Sequence, residues 1–516
     1  MEGDALSEPT MQLQGADDDG SDEAQGSPSV LDQRLCDLTL AAVGAAGSAA
    51  DSHLATGGWR PRHAIPEVRS YDSGWPFLLR TRPLLRDHGP TAFAKLFGPK
   101  AGTLTPFAFD DIPELTDLID YVKSEEALRE RVQLVSPTGN HEFEENWFKV
   151  EVADLPLSIL DRARATNATE PDDLLELYLL RERAWLADSL PVEYVVPLAL
   201  TTFDLAETFV IDDRHRLEPL DELTQAARAP SEFSTAPVPE PVISAATHAL
   251  VIIGEPLANS GPVHRIFRAA PESLPIVDAD LVCQAIQVVG HHDTGYAQVL
   301  RRPLGWADRW SCNLPAITEV ATVRRYPNRF DEEAWRQPPN PIDTDALGEL
   351  PGVLASLRNA PTKVRLAARR LAAAQARSDE DEDDRTVDAC IGLEALLGEG
   401  RDELTHRLAL RAATVLATRS DEAVDARVVY GLVKKVYSHR SAVVHGSASD
   451  KHKVIKVNGT EWSASAVAVF LLREVLRDAL TGEWTPSSLD DRLLQSLRSP
   501  GVEGTEPATD SSGKTE

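Results

Sequence analysis

The hydrophobic pattern of this chain changes period once, and that change limits its fold more than any other feature. Before residue 335, apolar residues gather in short runs rich in β-branched side chains. These are PFLLR from Pro76, RVQLVS from Arg131, NWFKVEV from Asn146, EYVVPLAL from Glu193, ETFVID from Glu207, HALVIIG from His248, LVCQAIQVVG from Leu281, YAQVLRR from Tyr296 and AITEVATV from Ala316. Runs of this length and composition predict strands. Helical spacing is interleaved with them at residues 31–46, 112–123 and 172–188, the last opening on Pro171. After residue 361 the spacing is helical almost throughout, over about 361–377, 385–397, 402–418, 421–444 and 463–480, and strand signals are nearly absent. Two proline-rich breaks divide the pattern, APSEFSTAPVPEPV at 229–242 and RQPPNPIDTDALGELPG at 336–352.

The expected class is therefore α+β and multidomain, with an N-terminal mixed α/β, β-rich region followed by a C-terminal all-α helical bundle. Residues 1–58 read as a mostly disordered acidic N-terminus, since 1–30 hold eight acidic and no basic side chains. Residues 59–228 read as a mixed α/β domain, and 243–335 as a β-rich domain or the second half of the preceding one. A linker follows at 336–360, then the helical bundle at 361–485 and a polar tail at 486–516.

A formal charge of −30, from 82 acidic against 52 basic side chains, opposes binding of the whole molecule to nucleic acid or to an anionic membrane surface. A nucleic-acid role then requires a local basic patch. Cys36, Cys283, Cys312 and Cys390 are scattered without a CxxC pair, which predicts reduced, buried thiols rather than a zinc ribbon or a disulfide framework. The N-terminus has neither the basic nor the apolar region of a signal peptide, and no apolar run approaches the ~20 residues of a membrane helix. A cytoplasmic protein with no membrane contact is expected. HHD at 291–293 offers metal-ligating side chains, but adjacent histidines on a strand point to opposite faces and further ligands are not apparent. Phosphate-binding glycine motifs and a serine-hydrolase elbow are absent, so neither cofactor nor metal is expected.

The stretch YGLVKKVYSHRSAVVHG, residues 430–446, holds Arg440 and, after four residues, His445. Val433, Val436, Tyr437 and Val444 fall on one side of a helix, Lys434, Lys435 and His439 fall off it, and Gly446 supplies the stop. Spacing alone says little, because Arg401 and His406 repeat it. Residues five apart sit about 140° apart around a helix, so the two side chains can line one cleft without stacking. Between 426 and 456, seven Lys/Arg face a single acid, with His439, His445 and His452 in addition. Lys434, Lys435, His439, Lys451 and Lys453 are the candidate nucleic-acid contacts, and Lys363, Arg365, Arg369 and Arg370 extend the patch. The alternative is a solvated face balanced by the six consecutive acids at 379–384.

Three stretches in order, VDACIGLEALLG from Val387, ELTHRLALRAATVL from Glu403 and VKKVYSHRSAVVHG from Val433, resemble the HEPN domains, most closely their Apea-like branch of bacterial proteins. The resemblance covers the last quarter of the chain. It implies a helical domain that forms a homodimer and, in active members, a metal-independent endoribonuclease whose Arg–x4–His pairs face a cleft between the two copies. It further implies a role in bacterial stress or anti-phage defence, with the N-terminal region sensing or regulating. The chemistry suits the residue types. RNA can attack its own phosphate through the 2′-hydroxyl, so His445 would move protons and Arg440 would hold the phosphate. Ser441 stands where many active members carry Asn, Asp or His. Glu403, Arg407 and Arg411, spaced to share a helix face, and Asp388 and Glu394 are the candidate supporting residues. A non-catalytic HEPN domain serving only dimerisation and interaction is the alternative.

Overall fold

A computed structural model describes residues 29–79, 89–132, 141–229, 238–259, 274–332, 334–399, 403–419, 425–446, 453–457, 459–482 and 485–496. Residues 1–28 of the acidic N-terminus, residues 133–136 of RVQLVS, the central part of the first proline-rich break, Arg401, Lys451, His452 and the end of the polar tail lie outside them.

The first described helix is α1 (Gln33–Ala55), inside the stretch 1–58 expected to be mostly disordered, and its cap Asp32 accepts the Leu35 N–H at 2.9 Å. Leu35, Ala42, Val43, Ala46 and Ala50 repeat at helical spacing and are buried. They pack against α2 (Pro113–Ser124), α4 (His141–Thr166) and α5 (Pro171–Leu186), with α3 (Glu126–Val132) alongside α2. The run NWFKVEV, expected as a strand, lies inside α4, and Arg131 and Val132 close α3. In α4 a stripe through Phe148, Val152, Leu155 and Ile159 is buried, so the local alternation was incidental to a longer helical period.

The strands β1 (Glu67–Ser70) and β2 (Pro76–Leu79) form a hairpin, and β3 (Phe97–Gly98) pairs in parallel with β4 (Phe107–Ala108). After the short β5 (Ser189–Leu190) come β6 (Val192–Pro197), β7 (Phe209–Val210), β8 (His215–Pro219), β9 (His248–Ile253), the short β10 (Leu257–Ala258), β11 (Tyr296–Pro303) and β12 (Thr318–Arg325). Six of them make one antiparallel sheet in the order β12-β11-β6-β9-β8-β7, with Tyr194 opposite Ile252 and Val195 opposite Leu300. Its strands come from both sides of the 229–242 break, so residues 243–335 complete a sheet begun before it. Alternation decides the faces. Tyr194, Val196, Leu250, Ile252 and Val299 enter the main core, while Val195, Ala249, Val251 and Leu300 cluster on the other side.

Two short helices, α6 (Glu222–Ala227) and α7 (Glu240–Ser244), precede α8 (Ile276–Val289). LVCQAIQVVG is thus a helix and not a strand. It is apolar around most of its circumference because it packs between other elements: Val282, Cys283, Ile286 and Val289 are all buried.

The expected 336–360 linker holds α9 (Thr344–Asn359), whose cap Asp343 accepts the Ala346 N–H at 2.7 Å. Then follow α10 (Thr362–Ala376), α11 (Glu382–Leu397), α12 (Leu404–Arg419), α13 (Ala426–Val444), α14 (Ala464–Thr481) and α15 (Pro486–Ser496). The last of these is a helix where a polar tail was expected. The region also carries a hairpin, β13 (Val454–Val457) with β14 (Thr460–Ser463), which the near-absence of strand signals did not anticipate. α14 runs through the middle, touching α10, α11, α12 and α13 as well as α8. Gly392 permits its close approach to α11, since a Cβ there would lie 2.6 Å from Leu472 Cδ2. The class is α+β: a mixed α/β body followed by a mainly helical region. All four cysteines are free and buried. Among the described residues no helix is long and apolar enough to cross a membrane.

Candidate nucleic-acid site on the last motif helix

α13 begins at the cap Asp425, which accepts the Arg427 N–H at 2.8 Å. Val429, Val433, Val436 and Tyr437 fix its buried face. The helix stops where predicted: His445 is the C-cap, donating its backbone N–H to the Ser441 carbonyl at 3.1 Å, and Gly446 follows at φ +66°. Only glycine adopts that conformation without strain. Val444, assigned to the buried side, is instead exposed.

Arg440 is held from two sides. Its Nη2 lies 3.3 Å from Glu394 of α11, and the guanidinium carbon sits 5.6 Å from the centre of the Tyr437 ring. The Tyr437 hydroxyl donates to the same Glu394 carboxylate. Burial first, then the Glu394 hydrogen bond and charge, push the Tyr437 phenol well above its usual range, so it stays a donor. Behind this group the Cys390 thiol is pushed up to about 12 by burial and by Glu394, with Arg440 opposing. The Arg440 Nε–H meets no acceptor among the described residues. His445 and Ser441 are exposed, as are Lys434 and Lys435, with the Lys434 ammonium 5.5 Å from the Tyr430 ring centre. His406 joins this face through its Nδ1, 2.9 Å from the Tyr430 hydroxyl.

Several candidates stand elsewhere. His439 is buried at 1% exposure, with its Nε2 3.1 Å from Asp383, and is not available to a ligand in solvent. Lys453 is part-buried at the start of the hairpin. Glu403 precedes α12 at φ +52°, so it does not form the expected helical pair with Arg407, whose Nη1 donates instead to the Glu399 carbonyl at 2.6 Å. Arg411 is buried and grips Asp490 of α15 with two bonds of 2.9 and 2.8 Å, as well as the Leu397 carbonyl at 2.7 Å. Asp388, buried, accepts from Arg370 and Arg377 at 2.7 Å each, clamping α10 to α11. Asp388, Arg407 and Arg411 therefore brace the helices, and Glu394 alone of the supporting set touches the motif arginine. Tyr437 was placed in sequence only as a core residue. Its spacing, i and i+3 to Arg440, was the available signal that it would also stack there.

The HHD segment is a loop. His291, at φ +55°, lies 3.3 Å from Glu474, and Asp293 pairs with Arg329. Among the described residues no group of three or more His, Cys, Asp or Glu side chains is arranged to hold a metal ion. No known protein family, curated protein or solved structure matches the chain.

Proposed function

We propose that the chain cleaves RNA without a metal ion, at a site formed by Arg440 and His445. The observation that carries this reading is a part-exposed arginine oriented by Glu394 and Tyr437, with an exposed imidazole at the end of the same helix and two exposed lysines on it. In the reaction the ribose 2′-oxygen bonds to phosphorus and the bond from phosphorus to the 5′-oxygen breaks. The products are a 2′,3′-cyclic phosphate and a 5′-hydroxyl. His445 takes the proton from the 2′-hydroxyl or returns one to the leaving oxygen, and a second copy, which the HEPN resemblance implies, supplies the other imidazole. Arg440 balances charge on the phosphate oxygens, and Glu394 with Tyr437 sets its direction. Lys434 and Lys435 attract the backbone. On this reading the α/β body senses or regulates.

One observation favours a second reading, a HEPN-like region that only dimerises and binds partners: Glu394 already offsets the Arg440 charge at 3.3 Å. The full chain, His445→Ala and Arg440→Ala separate the two when incubated with RNA in EDTA. Cleavage by the wild type that falls about 100-fold or more in each variant supports the enzyme. A wild type as inert as the variants supports the second reading. Sedimentation that finds a strict monomer counts against both.

A further inference from the structure

The basic residues of α10 were grouped in sequence with the α13 patch, but they line a different feature. Two adjoining hollows, of about 380 and 610 Å³, run between α8 of the body and α9 and α10 of the helical region, sharing Asp280, Gln284 and Arg369. Together they form one groove of the size that small-molecule ligands occupy. Five arginines line it against one carboxylate, Asp280. Three of the five are already paired: Arg324 with Asp331, Arg325 with Asp280 at 3.5 Å and Arg358 with Asp212 at 2.7 Å. Arg365 and Arg369, one helical turn apart on α10, meet no carboxylate among the described residues. In a chain of net charge −30 these are two uncompensated cations facing one cavity.

The opposite wall asks for something other than charge. Gln284 lines both hollows and is part-buried, and its side-chain amide meets no hydrogen-bond partner among the described residues. A partly solvated amide both accepts and donates, so it can pair with a hydroxyl or amino group of an occupant. Asp280 accepts the Tyr296 hydroxyl at 2.8 Å and is the second acceptor on this wall. Leu281 and Leu357 add apolar surface in the larger hollow. Anion-binding arginines at one wall and hydrogen-bond acceptors at the other describe a ligand with phosphates at one end and hydroxyl or amino groups at the other.

We infer that this groove binds a nucleotide, with its phosphates on Arg365 and Arg369 and its sugar or base toward Gln284 and Asp280. The ligand bridges the body and the helical region. The inference does not depend on RNA cleavage, because it uses none of the α13 residues.

Calorimetric titration of the full chain tests it, with ATP and inorganic tripolyphosphate as separate probes. Saturable binding of one ATP per chain is expected, tighter than tripolyphosphate, and weakened about tenfold or more when Arg365→Ala and Arg369→Ala are combined. Both arginines are exposed, so melting by circular dichroism should show the double variant folded. The pair Lys434→Ala and Lys435→Ala on α13 should leave ATP binding unchanged. Absence of saturable ATP binding by the wild type overturns the inference, as does a loss caused only by the α13 pair. Equal affinity for the two probes reduces the groove to an anion site and overturns the nucleotide. An RNA oligonucleotide that binds through Arg365 and Arg369 where ATP does not would make it an RNA groove and overturn it likewise.

Discussion

Arg228 in the α/β body and Arg440 on α13 are both arginines held by oxygen acceptors, and they differ in what is left over. Arg228 is enclosed at 1% exposure and spends its donors on five acceptors, the Gln225 and Gln298 amide oxygens and the carbonyls of Ile243, Ser244 and Ala246. Burial pulls its pKa down to about 9, which still leaves it charged near neutral pH. Arg440 keeps about a quarter of its side chain in solvent, with one carboxylate, one aromatic face and an unused Nε–H. A saturated guanidinium staples backbone segments together. One that keeps part of its side chain in solvent retains surface on which an anion can dock. The difference separates a cation wholly spent on structure from one proposed to bind substrate more clearly than charge or burial taken alone.

The comparison can be broken at either arginine. Arg228→Met strands five buried acceptors and should cost about 3–5 kcal/mol of stability in urea titration; a loss below about 1 kcal/mol would show that the cage carries little. The clamp at Asp388 is intermediate, since Arg370 and Arg377 both reach solvent. Asp388→Ala should cost about 2–3 kcal/mol by the same measurement. The body also carries an acid-sensitive tie to the helical region. Burial pulls Asp212 upward, but hydrogen bonds from the His215 ring, the Arg214 amide and Arg358 of α9 overcome it and hold the carboxyl down at about 2. Its folded pKa lies below the unfolded value of ~4, so the stabilisation is complete above pH ~4 and is lost as pH falls from there toward 2. Melting temperature across that window should drop by the equivalent of about 1–2 kcal/mol, and Asp212→Asn should flatten that part of the curve. The smallest stability effect is expected at Arg440. Arg440→Lys should change unfolding by no more than about 0.5 kcal/mol while lowering RNA cleavage about 10- to 100-fold, because an ammonium cannot reproduce the forked geometry.

Helices α10 and α13 were legible because each buries one main stripe of side chains at helical spacing. α8 was not. Packed between other elements, it is apolar on nearly every side, and its valines and isoleucines imitate a strand. The stretch 336–352 reads as a linker from its prolines, yet Leu347, Leu350, Val353, Leu354 and Leu357 keep a helical stripe through Pro351. His439 illustrates the converse error. It stands three residues after Val436, so the period alone places it on the buried face, and its polarity suggested exposure. Arg440 and His445 could be named from sequence, but the partners that orient Arg440 come from α11, and nothing local encodes that contact. The groove lay still further out of reach, since pairing of α8 with α10 joins segments about eighty residues apart.

The most direct test of the proposed site uses one RNA in two forms, unmodified and with its 2′-hydroxyls methylated, incubated with the full chain in EDTA. The account predicts cleavage of the unmodified RNA to 2′,3′-cyclic phosphate ends, no cleavage of the methylated form, and loss of activity in His445→Ala. Cleavage of the methylated RNA, or undiminished cleavage by His445→Ala, would contradict it.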